Sequence, residues 1–256
     1  MSIATVAKVV RFERSSSSCR QCRVRQHCLP RRLPDDELAE VDTSVRHGRL
    51  LPPGHYLYRQ GDDTYKVFFV KMGSVKTYFT SGDGTVQVVG FLLAGDSFGI
   101  DALEHGRYRC SAVTLEHTSV CDISCAQLEG LYRRHPGLFH ELLVRLAEDR
   151  NRDHEIRLLT SQKGSDERLA AFLVDMARRL GERGFPATEL SLTMSRYDIA
   201  SYLGVVAETV SRTFTRFEYA GLLAVDGRRV HIRDIDGLCA LTGLRAPPAG
   251  VRSRGF

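Results

Sequence analysis

This chain of 256 residues contains no tryptophan and no apolar run long enough to cross a lipid bilayer. A membrane-spanning helix needs about 20 consecutive apolar residues, so the sequence predicts no membrane partner. The first 18 residues, MSIATVAKVVRFERSSSS, lack the apolar core and the cleavage site of a secretory signal peptide. We therefore expect a cytoplasmic protein, in which cysteines stay reduced and close cysteine spacing favours metal binding over disulfides.

The seven cysteines of the chain are unevenly distributed. Three of the seven cysteines, Cys19, Cys22 and Cys28, lie within ten residues in the run SCRQCRVRQHCLP. This segment has no apolar periodicity that would place the thiols in a core, and thiolates are good ligands for soft metals. A cluster or metal usually needs a fourth ligand, which would link this loop to a distant part of the fold. The candidates are Cys110, Cys121, Cys125 and Cys239.

The net charge of +5 is concentrated at the N-terminus, where the first 34 residues carry eight Lys and Arg against a single acid. On composition alone, such an arm could bind nucleic acid. Alternatively, Arg20, Arg23 and Arg25 could be the counter-charges of a 4Fe–4S cluster, which with four thiolates carries a formal charge of about −2. The charge pattern leaves both interpretations open.

After the leader and cysteine loop of residues 1–34, residues 35–134 have the pattern of a β-domain. Short β-type runs alternate with glycine turns, namely HYLY, KVFFVK, SVKTYFT, TVQVVGFLL, CSAVTL and TSVCDI. Many short strands with no room for crossover helices are typical of a β-sandwich or roll. A short helix is then predicted at Cys125–Arg134.

Residues 135–162 are predicted to form one long helix, because leucines and an isoleucine recur at helical spacing from Leu138 to Leu159. Its later turns are strongly charged, so it cannot be buried all round. A helix of this length suits a bundle or a dimer seam. The candidate seam residues from this spacing are Leu143 and Leu146.

Residues 163–240 follow the pattern of a winged helix-turn-helix, before a tail at 241–256. A helix at Asp166–Leu180 is expected to end at Gly181, and a second, Ser195–Leu203, begins close to a capping-box signature. Gly204 makes the turn to a helix at Ala207–Ala220. Asp226-Gly227 then marks a hairpin that would be the wing.

The second helix of such a motif places its N-terminal residues in the major groove of double-stranded DNA. Here Glu208, Ser211 and Arg212 share one helix face. Arg212 can bind guanine, and Glu208 can accept from the paired cytosine. Arg216 is one turn further on and better placed for phosphates. The alternative is an exposed Glu–Arg pair that only solvates the helix.

The run YDIASYLGVVAETVSRTFTRFEYAGLLAV resembles the winged helix of the superfamily of the cyclic-AMP receptor and the fumarate–nitrate reduction regulators (Crp/FNR). The cysteine spacing, together with TLEHTSVCDIS, resembles its iron–sulfur, oxygen-sensing branch. The resemblance implies an α+β protein with an N-terminal β-roll (jelly-roll, cyclic-nucleotide-binding-like) sensor domain, a long dimerisation helix and a C-terminal winged helix-turn-helix. By position it places the ligands of a 4Fe–4S cluster at Cys19, Cys22, Cys28 and Cys121.

The resemblance further implies a homodimeric transcription activator of anaerobic or microaerobic genes, which binds a palindrome of TTGAT-like half-sites and contacts RNA polymerase. The hairpin tip Ser81–Gly84 is a candidate polymerase surface. Oxygen would destroy the cluster and weaken the dimer. Asp153 would oppose its counterpart across the seam, while Arg150 and Arg157 could pair with it and soften this repulsion. His27, beside Cys28, is expected either to hydrogen-bond a ligand sulfur or to point to solvent.

Three alternatives compete with this hypothesis. The first is a regulator of the same fold that binds a small effector in the roll. Cyclic AMP is not the expected effector, because Ile100 replaces the glutamate that takes the ribose in the nucleotide-binding branch. The second is an iron–sulfur enzyme, which is not favoured because no catalytic signature accompanies the cysteines. The third is a zinc site, since zinc also accepts four thiolates.

Overall fold

A computed structural model describes residues 18–63 and 66–243, without the side chains of residues 49 and 156–162. The leader before residue 18 and most of the predicted tail at 241–256 lie outside the described residues. Eight strands of the N-terminal half are β1 Arg46–Leu51, β2 Tyr56–Tyr58, β3 Lys66–Met72, β4 Ser74–Thr80, β5 Val86–Leu93, β6 Ser97–Phe98, β7 Ser111–Thr114 and β8 Thr118–Ser124. They form two antiparallel sheets, ordered β1-β8-β3-β6 and β2-β7-β4-β5, which confirms the predicted β-roll.

The first sheet is covered on both faces, and alternation along its strands decides which side chain goes where. Phe68 and Val70 of β3 pack between the two sheets. Val67 and Phe69 point to the opposite face, together with Ile123 of β8. That outer face is covered by helices and by Leu29 and Leu33, which follow the cysteine loop. The loop is therefore fixed to the roll by its own apolar side chains.

Four helices accompany the roll: α1 Asp35–Ser44, α2 Ala102–His105, α3 Cys125–Arg134 and α4 Pro136–Gln162. Helix α3 has the predicted bounds, and α4 is the predicted long helix. Helix α1 was not anticipated from the sequence. It begins after Pro34 with three acidic residues in its first turn, where negative charge favours the helix dipole.

The C-terminal part contains α5 Ser165–Glu182, β9 Glu189–Ser191, α6 Arg196–Leu203, α7 Ala207–Tyr219, β10 Leu223–Asp226, β11 Arg229–Ile232 and α8 Ile235–Thr242. Ser195 and Asp198 form the expected capping box, and Gly204 has the left-handed φ of 64° that the turn needs. The winged helix-turn-helix is thereby confirmed.

Two local predictions in this region need correction. Helix α5 does not end at Gly181 but continues to Glu182, because one glycine costs a helix only about 1 kcal/mol and the buried apolar face of α5 offsets it. In the wing hairpin, Asp226 at the end of β10 is the cross-strand partner of Arg229 at the start of β11. The two turn residues are therefore Gly227 and Arg228. The turn lies one residue later than the Asp-Gly pair suggested.

The winged-helix elements pack directly against the roll. The ring of Phe91 on β5 lies 5.9 Å from that of Phe172 on α5 and 5.2 Å from that of Tyr202 on α6, centroid to centroid. Val88 and Phe91 belong to the same apolar core as α5, α6 and α7. Across residues 18–63 and 66–243, none of the helices has the length and apolar character to cross a bilayer.

Candidate metal centre and nucleic-acid interface

The four cysteines singled out by the sequence line one cavity on the outer face of the first sheet. Cys19, Cys22 and Cys28 come from the loop, and Cys121 comes from the middle of β8. Strand alternation explains the position of Cys121, since it shares the outer face with Ile123 while Val120 points between the sheets. The structure thus brings together side chains about 100 positions apart.

Successive turns fold the cysteine loop. The backbone N–H of Cys22 donates to the carbonyl of Cys19 over 3.3 Å, Arg25 donates to Cys22 over 3.0 Å, and Cys28 donates to Arg25 over 3.1 Å. Each turn brings the next thiol back towards the sheet. Leu29 then begins the buried stretch that holds the loop in place.

The donor set and the cavity wall fit an iron–sulfur cluster. Besides the thiols, the wall contains apolar side chains such as Val41 and Phe69, and two cationic ones, Arg25 and Lys71. None of the described lining residues is acidic. Soft thiolate donors next to positive charge suit an anionic cluster.

Burial favours the protonated form of three thiols in this cavity, those of Cys19, Cys28 and Cys121. It raises the pKa of the Cys28 thiol to about 12 and that of the Cys121 thiol to about 11. The pKa of Cys19 is raised further, by burial and by a hydrogen bond to the Asp42 carboxylate. Because thiolates are the metal-binding form, any metal that binds here must displace these protons.

Two residues that the sequence analysis missed contact this thiol set. The Asp42 carboxylate on α1 accepts a hydrogen bond from the backbone N–H of Cys19 over 2.5 Å and lies 3.0 Å from Nε2 of His47. His47 on β1 is the cross-strand neighbour of Cys121, and its Nδ1 lies 3.5 Å from the Cys121 Sγ. No local spacing marks them, because the contacts depend on β1 pairing with β8.

The remaining cysteines lie elsewhere. Cys125 and Cys239 are buried in separate cores. The Cys110 Sγ lies 3.8 Å from the Asp101 carboxylate. None of the three is among the described residues that line the thiol cavity, and that they are not ligands stays a prediction.

His27 lines a different cavity of about 230 Å³, between the cysteine loop, β5, α4 and α5. Burial and the charges of Arg183 and Arg145 lower the pKa of His27. This second cavity is strongly charged, and the buried Arg179 extends into its wall. His27 therefore lines this charged cavity and is not among the described residues that line the thiol cavity.

The long helix carries an exposed stripe at the spacing of a coiled-coil seam. Leu143 is 48% exposed and Leu146 is 38% exposed, and Arg150 and Asp153 continue the stripe as exposed residues. Phe139, one turn before Leu143, is 47% exposed and extends it, although the sequence analysis did not single it out. The side chain of Arg157 lies outside the described residues.

The predicted reading face of α7 is exposed. Glu208, Ser211 and Arg212 point to solvent, while Val210 and Phe214 on the opposite face are buried. Nη2 of Arg212 donates to Oε1 of Glu208 over 2.6 Å. The two side chains form the helix pair that the sequence suggested.

Arg216 is held differently. Its guanidinium pairs with the Asp166 carboxylate at the start of α5, and Asp166 also accepts from Thr213 over 2.8 Å. This contact ties α7 to α5. The wing arginines Arg228 and Arg229 are exposed beside the hairpin turn.

Comparison with known proteins agrees with this architecture. Residues 49–135 match a cyclic nucleotide-binding domain, and residues 167–241 match a Crp-like helix-turn-helix domain. The chain is 40% identical over 225 residues to the transcriptional activator protein Anr of Pseudomonas aeruginosa, covering 88% of this chain and 92% of that protein. It is 36% identical to the fumarate and nitrate reduction regulatory protein of Escherichia coli, covering 88% and 90%. The chain belongs to the Crp/FNR family of transcription regulators.

A solved structure supports the same assignment. FixK2 from Bradyrhizobium japonicum superposes with a TM-score of 0.70 at 30% identity, covering 79% of this chain and 99% of that one. Crp/FNR members are regulators, which confirms that this chain is not an enzyme.

The nucleotide-binding features of this Crp/FNR chain differ from the pattern that binds cyclic AMP. Ile100 packs against the apolar core on the outer face of the first sheet. The Arg109 guanidinium is exposed and pairs with Glu104 over 3.2 Å. The aliphatic side chain of Ile100 cannot hydrogen-bond a ribose, and the Arg109 guanidinium already has a carboxylate partner.

Proposed function

We propose that this protein is an oxygen-responsive transcription activator whose 4Fe–4S cluster is held by Cys19, Cys22, Cys28 and Cys121. The observation that carries the proposal is the common cavity lined by three loop thiols and the thiol of β8. Similarity to regulators named for fumarate and nitrate reduction and for transcriptional activation adds support.

A cluster bound by these residues supplies an oxygen-labile link between the N-terminal loop and the roll. The chain's own contribution is to hold the two sides of that link together. Leu29 and Leu33 fix the loop by burial, and the pairing of β1 with β8 fixes Cys121. Lys71 contributes positive charge at the cavity wall, whereas the Arg25 guanidinium in the same wall pairs with the Asp35 carboxylate over 2.9 Å.

The proposed output is a homodimer on DNA. The stripe from Phe139 to Asp153 is the dimer seam, and pairing along it presents two α7 helices to a palindrome of TTGAT-like half-sites. Activation requires contact with RNA polymerase, for which the hairpin tip Ser81–Gly84 between β4 and β5 is the proposed surface. The protein acts in the cytoplasm, where its thiols stay reduced.

The decisive experiment compares cysteine variants purified without oxygen. Iron and acid-labile sulfide per chain should be lost in Cys121→Ala and retained in the matched controls Cys110→Ala and Cys239→Ala. DNA binding under anaerobic conditions should follow the same pattern. Full iron content and DNA binding in Cys121→Ala would overturn the proposal.

A second candidate function is regulation by a small effector. The charged cavity of about 230 Å³ supports it, because the buried Arg179 has an Nε without a hydrogen-bond partner among the described residues. Anaerobic protein separates the two functions. A cluster gives brown, iron-rich protein, whereas an effector-binding regulator is colourless.

A further inference from the structure

Three side chains near the thiols carry donor atoms of different kinds that converge. The Sγ of Cys19, a carboxylate oxygen of Asp42 and a ring nitrogen of His47 all lie within 4.8 Å of one another. Each is partly buried, and each comes from a separate element: the loop, α1 and β1. Cys22 and Cys28 are not part of this group.

Their orientation is set by contacts within the group and by one contact outside it. The Asp42 carboxylate faces both Cys19 and Nε2 of His47. The other ring nitrogen, Nδ1, faces Cys121 over 3.5 Å. A histidine that binds a metal through one nitrogen typically has its second nitrogen held by a neighbouring group, and here Cys121 fills that role.

We propose that Cys19, Asp42 and His47 form a binding site for a single divalent transition-metal ion of the Zn²⁺ type. A sulfur, a nitrogen and an oxygen donor suit zinc, which takes three protein ligands and leaves one position open to water. Ligand atoms around zinc lie about 3–4 Å apart, so small side-chain rotations close the site. On binding, the Cys19 thiol releases its proton to solvent and becomes the thiolate ligand.

The site has a consequence for the cavity beside it. An ion bound by Cys19, Asp42 and His47 occupies a thiol that the proposed cluster also needs. One cysteine therefore serves two mutually exclusive occupants, and a divalent ion opposes cluster assembly. The ion site itself does not require that a cluster exists.

The test uses the full chain, freed of metal under anaerobic conditions, and Co²⁺ as a spectroscopic substitute for Zn²⁺. Wild type should show a thiolate-to-cobalt absorption band at one Co²⁺ per chain, and Zn²⁺ should remove it. His47→Gln should weaken Co²⁺ binding by at least about 100-fold, since loss even of an outer contact costs 10–100-fold. His135→Gln is the matched control, because His135 also contacts two carboxylates, those of Glu37 and Glu40.

The variant Cys22→Ser distinguishes binding of the divalent ion from binding of the proposed cluster. It should keep the cobalt band and lose the ability to take up iron and sulfide, whereas His47→Gln should lose the band and keep iron uptake, which also shows that it folds. A band that survives His47→Gln, or that disappears in Cys22→Ser, would mean that the cysteine set holds the ion and would overturn this proposal. Absence of iron uptake in wild type would overturn only the cluster.

Discussion

The guanidinium of Arg145 on α4 donates to the backbone carbonyl of His27, the residue before Cys28. The same guanidinium lies 3.4 Å from the carbonyl oxygen of Gly95, in the turn between β5 and β6. The next residue, Asp96, pairs with Arg179 of α5 and with Arg183, which directly follows that helix. The cysteine loop, the long helix, the roll and the winged-helix elements therefore meet at one place.

The first prediction concerns the hydrogen bonds between Arg145 and the backbone of the cysteine loop and of the turn at Gly95. Arg145→Ala removes both backbone contacts, so the loop should open more often and trypsin should cleave after Arg20, Arg23 or Arg25 faster than in wild type. Mass spectrometry of anaerobic digests measures the rate. Arg150→Ala, on the exposed stripe of the same helix, is the control and should leave cleavage unchanged. Equal rates in both variants would contradict a role for Arg145.

Gly95 offers a second test of the same junction. Its φ is +98°, and a Cβ built there would lie 2.6 Å from the Cβ of His27. Gly95→Ala should therefore displace the loop and strain the turn. Hydrogen exchange should rise at residues 25–28 in this variant. Gly54→Ala is the control, because its φ of +78° is also positive but nothing lies within 4 Å.

The third prediction concerns the stability of the junction. Burial raises the pKa of Asp96, but the guanidinium groups of Arg179 and Arg183 more than offset this and lower it below the usual 3.8. Asp96→Asn removes the carboxylate nearest to the buried Arg179, which keeps only Asp175 at 3.7 Å, and it also removes the partner of Arg183. The change should cost about 3–5 kcal/mol in the free energy of unfolding. Denaturant titration at neutral pH measures this loss.

The lowered pKa of Asp96 determines how the loss of stability in Asp96→Asn depends on pH. A carboxyl with a lowered folded-state pKa contributes stability that is present above its unfolded pKa and is lost as the pH falls through the folded value. The gap between wild type and Asp96→Asn should therefore stay constant down to a pH of about 4 and shrink below it. A gap that grows on acidification would show that the ion pairs are not its source.

Sequence reasoning found the parts of this protein that depend on local pattern. Glycine turns separate the strands, Ser195 and Asp198 cap α6, and the cysteine spacing marks the loop. It missed Asp42 and His47 and attended to His27 instead, because adjacency to Cys28 in the chain does not decide where a side chain points. The pairing of β1 with β8 decides it, because that pairing places His47 beside Cys121, which lies 74 positions later in the chain.

The fourth prediction concerns the exposed stripe of α4. Leu143→Glu places an unpaired charge in the proposed seam and should weaken dimerisation by at least about tenfold. Asp153→Ala removes a like charge from the seam and should strengthen dimerisation. Sedimentation velocity of anaerobic protein measures both. Asn151→Glu adds the same charge at an exposed position away from the stripe and should have no effect; a comparable loss there would place the seam elsewhere.

The last prediction concerns base recognition by α7. In the free protein Glu208 and Arg212 form a pair in which both side chains are about 70% exposed, and such surface pairs contribute less than about 1 kcal/mol to stability. Glu208→Ala and Arg212→Ala should therefore unfold almost like wild type. Each should nevertheless lose about 1–3 kcal/mol of affinity for the cognate half-site and relax the preference at its G·C pair.

The matched control for this prediction is Arg229→Ala on the exposed wing. It should weaken binding to all sequences alike and reduce the salt dependence, because a phosphate contact carries no base information. Binding-site selection at fixed salt, followed by titrations at several salt concentrations, distinguishes the two behaviours. If Glu208→Ala left the selected sequence unchanged, the pair on α7 would be a solvated surface feature and the reading face would lie elsewhere on the helix.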